Sequence, residues 1–244
     1  MASKAGEFVD IRPMDLAVAE IKVVGDSPLI MHAWSAKAKR EMLEKQIGAT
    51  KTSAREKKVP LEDFVSSMYW LTPMPTEFTE EAVGESLEGA RFGFPVTAFK
   101  QAALSAAYRN GWSKDKMSLR GAFFIRPDAD GYYSGDLQID WSRKKIEIVP
   151  NVFRADALVE IHSDTPVMRE DLVKVGMGTA DIRYRGQFDN WWAVLKIQYD
   201  RNGKTSFDQL VNMIAAGGFG CGVGEWRVER DGTYGSYHVA ASVM

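Results

Sequence analysis

The chain is poor in the residues that most often carry chemistry. Its 244 residues include one cysteine, Cys221, so no disulfide can form within it, and a reducing compartment is expected. The three histidines, His32, His162 and His238, stand far apart. None has a second His or Cys at ligand spacing, which argues against zinc or another bound metal. No apolar run is long enough to cross a bilayer, and the first seven residues lack the hydrophobic stretch of a signal peptide. A cytoplasmic, soluble protein with no membrane partner is therefore the expectation. An excess of basic charge is also missing. Lys and Arg number 31 against 33 Asp and Glu, a net charge of −2, whereas simple nucleic-acid binders are usually basic.

The charge is unevenly spread. Glu77, Glu80, Glu81, Glu85 and Glu88 fall in residues 76–90, which hold no Lys or Arg. That stretch accounts for more than the whole net charge and leaves the remainder mildly basic. The opposite bias follows residue 35. Lys37, Lys39, Arg40, Lys45, Lys51, Arg55, Lys57 and Lys58 face only Glu41, Glu44 and Glu56. Ser35 caps a helix predicted over 36–46, and Gly48-Ala49-Thr50-Lys51-Thr52-Ser53 beyond it has a flexible composition. This segment is either a solvated surface loop or a phosphate-binding arm ordered by its partner.

Glycine is concentrated at one place. Residues 215–227 read Ala-Ala-Gly-Gly-Phe-Gly-Cys-Gly-Val-Gly-Glu-Trp-Arg, with Gly217, Gly218, Gly220, Gly222 and Gly224. A dinucleotide fingerprint needs its glycines after a strand and before a helix, and a third glycine where this chain has Val223. Here they follow a helix and precede a strand, so no nucleotide cofactor is expected. They are expected to form a loop that lets a backbone or a phosphate come close.

The hydrophobic periods give six core elements. Strands are expected at 17–24, 118–126, 191–199 and 234–240, and helices at 97–109 and 206–216. Thr97 and Ser206 are their N-caps, the latter with a capping box to Gln209. A further helix is expected over 61–70, a turn-rich connection over 128–135, and strands at 145–149 and 157–162. Ile182-Arg183-Tyr184-Arg185 alternates as a basic strand and is expected to form a hairpin with 191–199. The order of the core elements is strand, helix, strand, strand, helix, strand. That is the βαββαβ order of an α+β, ferredoxin-like (RRM-like) core. Long insertions fall within a single domain whose core covers about 17–34 and 91–240, with the basic insertion at about 35–75.

Three segments carry a family resemblance. They are Asp26-Ser27-Pro28-Leu29-Ile30, Phe94-Pro95-Val96-Thr97-Ala98-Phe99-Lys100-Gln101-Ala102 and Gly217-Gly218-Phe219-Gly220-Cys221-Gly222-Val223-Gly224. In this order they resemble the RAMP superfamily, which includes the backbone subunits of CRISPR effector complexes, and in particular stand-alone, phage-encoded proteins of that pattern. The resemblance implies binding of single-stranded RNA or single-stranded DNA by a homo-oligomer or filament, without catalysis. It gives residues 35–58 the part of a thumb over the strand. Lys37, Lys39, Arg40, Lys45, Lys51, Arg55, Lys57 and Lys58 then supply electrostatic contacts. Lys100, Arg183, Arg185 and Arg227 add contacts on the core, and Gly218, Gly220, Gly222 and Gly224 allow close backbone approach. Two alternatives stay open. One is an endoribonuclease of the same fold, with His32 or Asp26, near where RAMP ribonucleases place a catalytic His or Asp, as general base. The other is an assembly protein of a phage particle. Cys221 has no base marked in the sequence and is read as a space-filling residue.

Overall fold

The computed structural model describes residues 13–48, 58–133, 136–149, 152–175 and 179–241. Along the chain these form β1 (Leu16–Gly25), β2 (Leu29–Met31), α1 (Ala36–Gln46), α2 (Pro60–Ser66), β3 (Tyr69–Trp70), α3 (Glu80–Leu87), β4 (Phe92–Pro95) and α4 (Val96–Arg109). They continue with α5 (Met117–Arg120), β5 (Phe123–Arg126), β6 (Ala129–Tyr133), β7 (Asp136–Asp140), β8 (Lys145–Val149), β9 (Val152–Ile161), β10 (Val167–Val175), β11 (Thr179–Phe188) and β12 (Trp192–Asp200). Helix α6 (Phe207–Gly220), a single 3-10 turn and β13 (Tyr237–Val239) complete the chain. The protein is a mixed α+β structure, rich in antiparallel sheet.

The largest sheet has the order β13-β1-β12-β5, with antiparallel pairs throughout. Its register follows from period-2 patterning. On β1, Ala17, Ile21 and Val23 are buried while Val18, Glu20 and Lys22 are exposed. On β12 the inward set is Ala193, Leu195 and Ile197, so Ile21 faces Leu195 and Val23 faces Ala193. Helices α4 and α6 cover this face. Ala102, Ala103, Ala106 and Ala107 give α4 a flat buried stripe, and Leu210, Met213 and Ile214 are buried along α6. Each fully buried Leu or Ile here contributes roughly 1.5–3 kcal/mol. A three-stranded sheet, β10-β11-β2, and a small closed sheet, β3-β4-β9-β6, lie beside it. They are joined by the Trp70, Phe92 and Phe188 rings, whose centroids are 4.8 and 5.1 Å apart. Among the described residues no helix is long and apolar enough to cross a membrane.

Helices set by local chemistry fall where the sequence puts them. Ser35 caps α1 by accepting from the Ala38 N–H, and the Ser206–Gln209 capping box of α6 is complete in both directions. Other expectations are corrected. Helix α2 stops at Ser66, where the Ser67 hydroxyl donates to the Phe64 carbonyl; Tyr69 and Trp70 then pair with Gly93 and Phe92 as strand. Residues 117–120 are helical, started by Asp115, which accepts from the Ser118 N–H, so the strand begins only at Phe123. Residues 129–133 form strand β6 and not a turn. Pro95, not Thr97, occupies the N-cap of α4. The expected hairpin of β11 with β12 is absent. β11 pairs with β10 and β2, and β12 with β1 and β5, because an alternating strand shows which face is buried but not its neighbour.

Candidate functional site

The glycine-rich stretch differs most from its expectation. Helix α6 runs on through Gly217, Gly218 and Gly220, and the loop starts only at Cys221. A Cβ on Gly218 would overlap the Tyr237 carbonyl oxygen and lie 2.6 Å from the Tyr237 ring. This glycine therefore lets α6 touch β13. Beyond the helix, Gly224 has φ +81°, and a Cβ there would stand 2.6 Å from the Ile30 carbonyl oxygen. Three amides of the loop are used inside the fold. Gly222 N–H donates to the Gly217 carbonyl, Val223 N–H to Gly235 and Glu225 N–H to Ile30, each at 2.9 Å. The phosphate approach expected of this stretch is thus corrected at these three amides: Gly222 ties the loop back to α6, Val223 to the chain entering β13 and Glu225 to β2. Cys221 is buried, and burial pushes its thiol above the usual range, which disfavours the nucleophilic thiolate.

Two cavities flank this loop. The larger, about 620 Å³, lies among the start of α1, α2 and β11 and is lined by Trp34, Lys37, Lys58, Asp63, Arg183 and Tyr184, among others. The smaller, about 350 Å³, lies between the start of α4 and the loop, against Phe94, Gln101, Gly222, Gly224 and Arg227. His32 and Glu225 line both, so the two adjoin there as one groove. His32 Nδ1 is 3.5 Å from Glu225 Oε1. The hydrogen bond from His32 holds the Glu225 carboxyl below its usual range, against the effect of burial. Trp34 keeps 57% of its surface exposed at the rim.

The cations of the groove are largely matched by carboxylates. Lys58 donates to Asp181 at 2.8 Å and to the Ile182 carbonyl, with Asp63 at 3.9 Å. Arg183 reaches Asp181 at 3.0 Å. Lys58 holds the Asp181 carboxyl low, while burial pushes Asp63 up. Arg227 pairs with Glu229 at 3.3 Å and donates to the Gly224 carbonyl. Arg185 is corrected outright. It is only 5% exposed and donates to buried Asp171 at 3.0 Å. Asp171 also accepts from Arg169 at 2.8 Å and from the Trp226 indole. Arg185 therefore lies on the same strand face as Arg183, as the alternation requires, but at Arg185 that face is closed over by Glu225, 3.8 Å away, and by Trp226 on Asp171, while Arg183 stays at the groove.

The remaining expected residues scatter. Lys37 and Lys58 line the groove; Lys39, Arg40 and Lys45 lie on α1, where Arg40 faces Glu44 at 3.7 Å. Lys51, Arg55 and Lys57 lie outside the described residues. Lys100 lines neither cavity. Its ammonium donates to the Arg120 carbonyl at 2.7 Å and sits 4.4 Å from the Phe124 ring centre, and burial lowers its pKa. Asp26 also lies outside the groove, 2.6 Å from His238 Nδ1, beside a Ser27–Ser236 hydroxyl contact at 2.8 Å. Gly218 and Gly220 are helical. The sequence did not single out Glu225, Asp63, Asp181 or Trp34. Isolated acids and one aromatic leave no spacing to read, although Glu225 directly follows the last glycine of the run. No protein-family model matches the chain, and no curated protein matches it in sequence, so the site is argued from its own geometry.

Proposed function

We propose that the protein binds single-stranded RNA or DNA along the groove that passes His32 and Glu225, and that its core is a ferredoxin-like unit of RAMP type. The observation that carries this reading is the groove itself. It is open, it adjoins the basic helix α1, and it sets an exposed Trp34 beside Lys37 and Arg183. Aromatic faces stack on bases, and cations along a groove follow the phosphates. The sheet order β13-β1-β12-β5, with α4 and α6 on one face, supports the fold part. It is the order in which a split βαβ unit places its fourth, first, third and second strands. Because Lys58, Arg183 and Arg227 face carboxylates, stacking carries more of the affinity than counterion release.

A second reading, cleavage of bound RNA, has one observation in its favour. His32 is positioned by Glu225 within the groove, the arrangement a general base requires. Asp26, engaged with His238 outside the groove, has no part in it. The test is a labelled-strand binding assay with Trp34→Ala and Lys37→Ala, alongside nuclease digestion of any nucleic acid that copurifies. Both substitutions are expected to weaken binding. Wild-type protein that fails to shift any single strand at low salt would overturn the proposal. Strand scission lost in His32→Ala, with binding kept, would establish the second reading.

A further inference from the structure

We propose that β10 is a self-pairing edge, through which two copies of the chain join about a two-fold axis at Leu172. The outer edge of β10 has no partner among the described residues, since the sheet order is β10-β11-β2. An open edge of nine residues is a template for another strand. Its outward side chains are Met168, Glu170, Leu172 and Lys174, all exposed, with Leu172 at 74%. Across the strand pair they face Gly186, Tyr184, Ile182 and Ala180. Glu170 and Lys174 thus have uncharged neighbours on β11, and neither forms an ion pair among the described residues.

A second β10, run antiparallel with Leu172 opposite Leu172, pairs these two residues. Glu170 of each copy then faces Lys174 of the other, on both sides of the axis. The central row becomes Ile182, Leu172, Leu172 and Ile182, an unbroken apolar ridge across the joined sheets. Neighbouring registers lack this match. Centring on Asp171 sets two buried carboxylates opposite each other, and centring on Val173 sets Leu172 against Lys174. Centring on Glu170 or Lys174 opposes like charges, which is destabilising across a strand pair. The side-chain period keeps outward residues on one face in the Leu172 register, and an isologous contact of this kind closes at two copies. The proposal goes beyond strand binding and does not depend on it.

The test uses the full chain without nucleic acid. Sedimentation should show a concentration-dependent dimer of the 27.2 kDa chain. Glu170→Lys should weaken dimerisation about tenfold, since two favourable cross-strand pairs become two unfavourable ones. Glu170→Lys combined with Lys174→Glu should restore it. Directly opposite residues have Cα atoms about 4.5–5.5 Å apart, within disulfide range. Leu172→Cys should therefore form a disulfide-linked dimer under mild oxidation, with Cys221 buried and silent. Ile182→Cys, one strand from the axis, should not. A wild type that is monomeric at every concentration overturns the proposal, as do a charge-swapped double variant no tighter than the single one, or equal cross-linking at 172 and 182.

Discussion

Gly218 and Gly220 are two residues apart in one glycine run, yet the structure gives them opposite responses to alanine. A methyl on Gly218 meets the Tyr237 carbonyl and ring, the carbonyl belonging to rigid strand backbone. α6 or β13 has to shift, and overpacking of this kind costs about 1–3 kcal/mol, with a backbone obstacle placing it near 3. For a chain of this size each kcal/mol moves the melting temperature by about 2–4 °C, so Gly218→Ala should melt roughly 6–12 °C lower. A methyl on Gly220 meets nothing within 4 Å, and its φ is not in the left-handed region. Gly220 is the last residue of α6, so alanine there gains only part of the interior helix preference, about 0.5 kcal/mol, a rise of about 1–2 °C by the same conversion. Circular dichroism melts of the two variants decide the matter. Equal shifts, or a destabilised Gly220→Ala, would refute the assignment of the run to helix packing. A Gly220→Ala protein that is stable yet binds single strands less well would return the residue to the phosphate-approach role.

Three further outcomes follow from the same geometry. Asp171→Asn removes the carboxylate that neutralises Arg169 and Arg185, and should cost about 3–5 kcal/mol in denaturant unfolding at neutral pH. Burial alone would raise the Asp171 carboxyl, but the hydrogen bonds from Arg169, Arg185 and Trp226 outweigh it and hold it below its usual range. Its contribution is therefore complete above about pH 4 and is lost as pH falls through the lowered folded value, so the gap between wild type and Asp171→Asn should narrow on acidification; a gap constant with pH would contradict the ion pair. Lys58→Ala should leave the salt dependence of strand binding nearly unchanged because its charge is matched by Asp181. Replacing Lys51, Arg55 and Lys57 together should lower the slope by about 2 if each meets one phosphate of a single strand. Equal slopes in the two variants would remove the thumb role from that segment.

Features governed by neighbours in sequence were legible without the fold. Ser35, the Ser206–Gln209 box and the 3.6-residue spacing of Leu210 and Ile214 placed helices α1 and α6, and the alternation of Ile21, Val23, Leu195 and Ile197 identified β1 and β12 and their buried faces. These depend on hydrogen bonds and burial within a few residues of the chain. Tertiary structure alone decided the rest. A period of two marks a strand but not its partner, so the pairing of β11 with β10 and β2 had no sequence signal. A glycine run marks absent side chains but not what occupies their space, so Tyr237 against Gly218 and Ile30 against Gly224 emerged only when distant strands were brought together. Arg185 has the same local pattern as Arg183. What buries one and leaves the other at the groove is the loop at Glu225 and Trp226, some forty residues further along the chain.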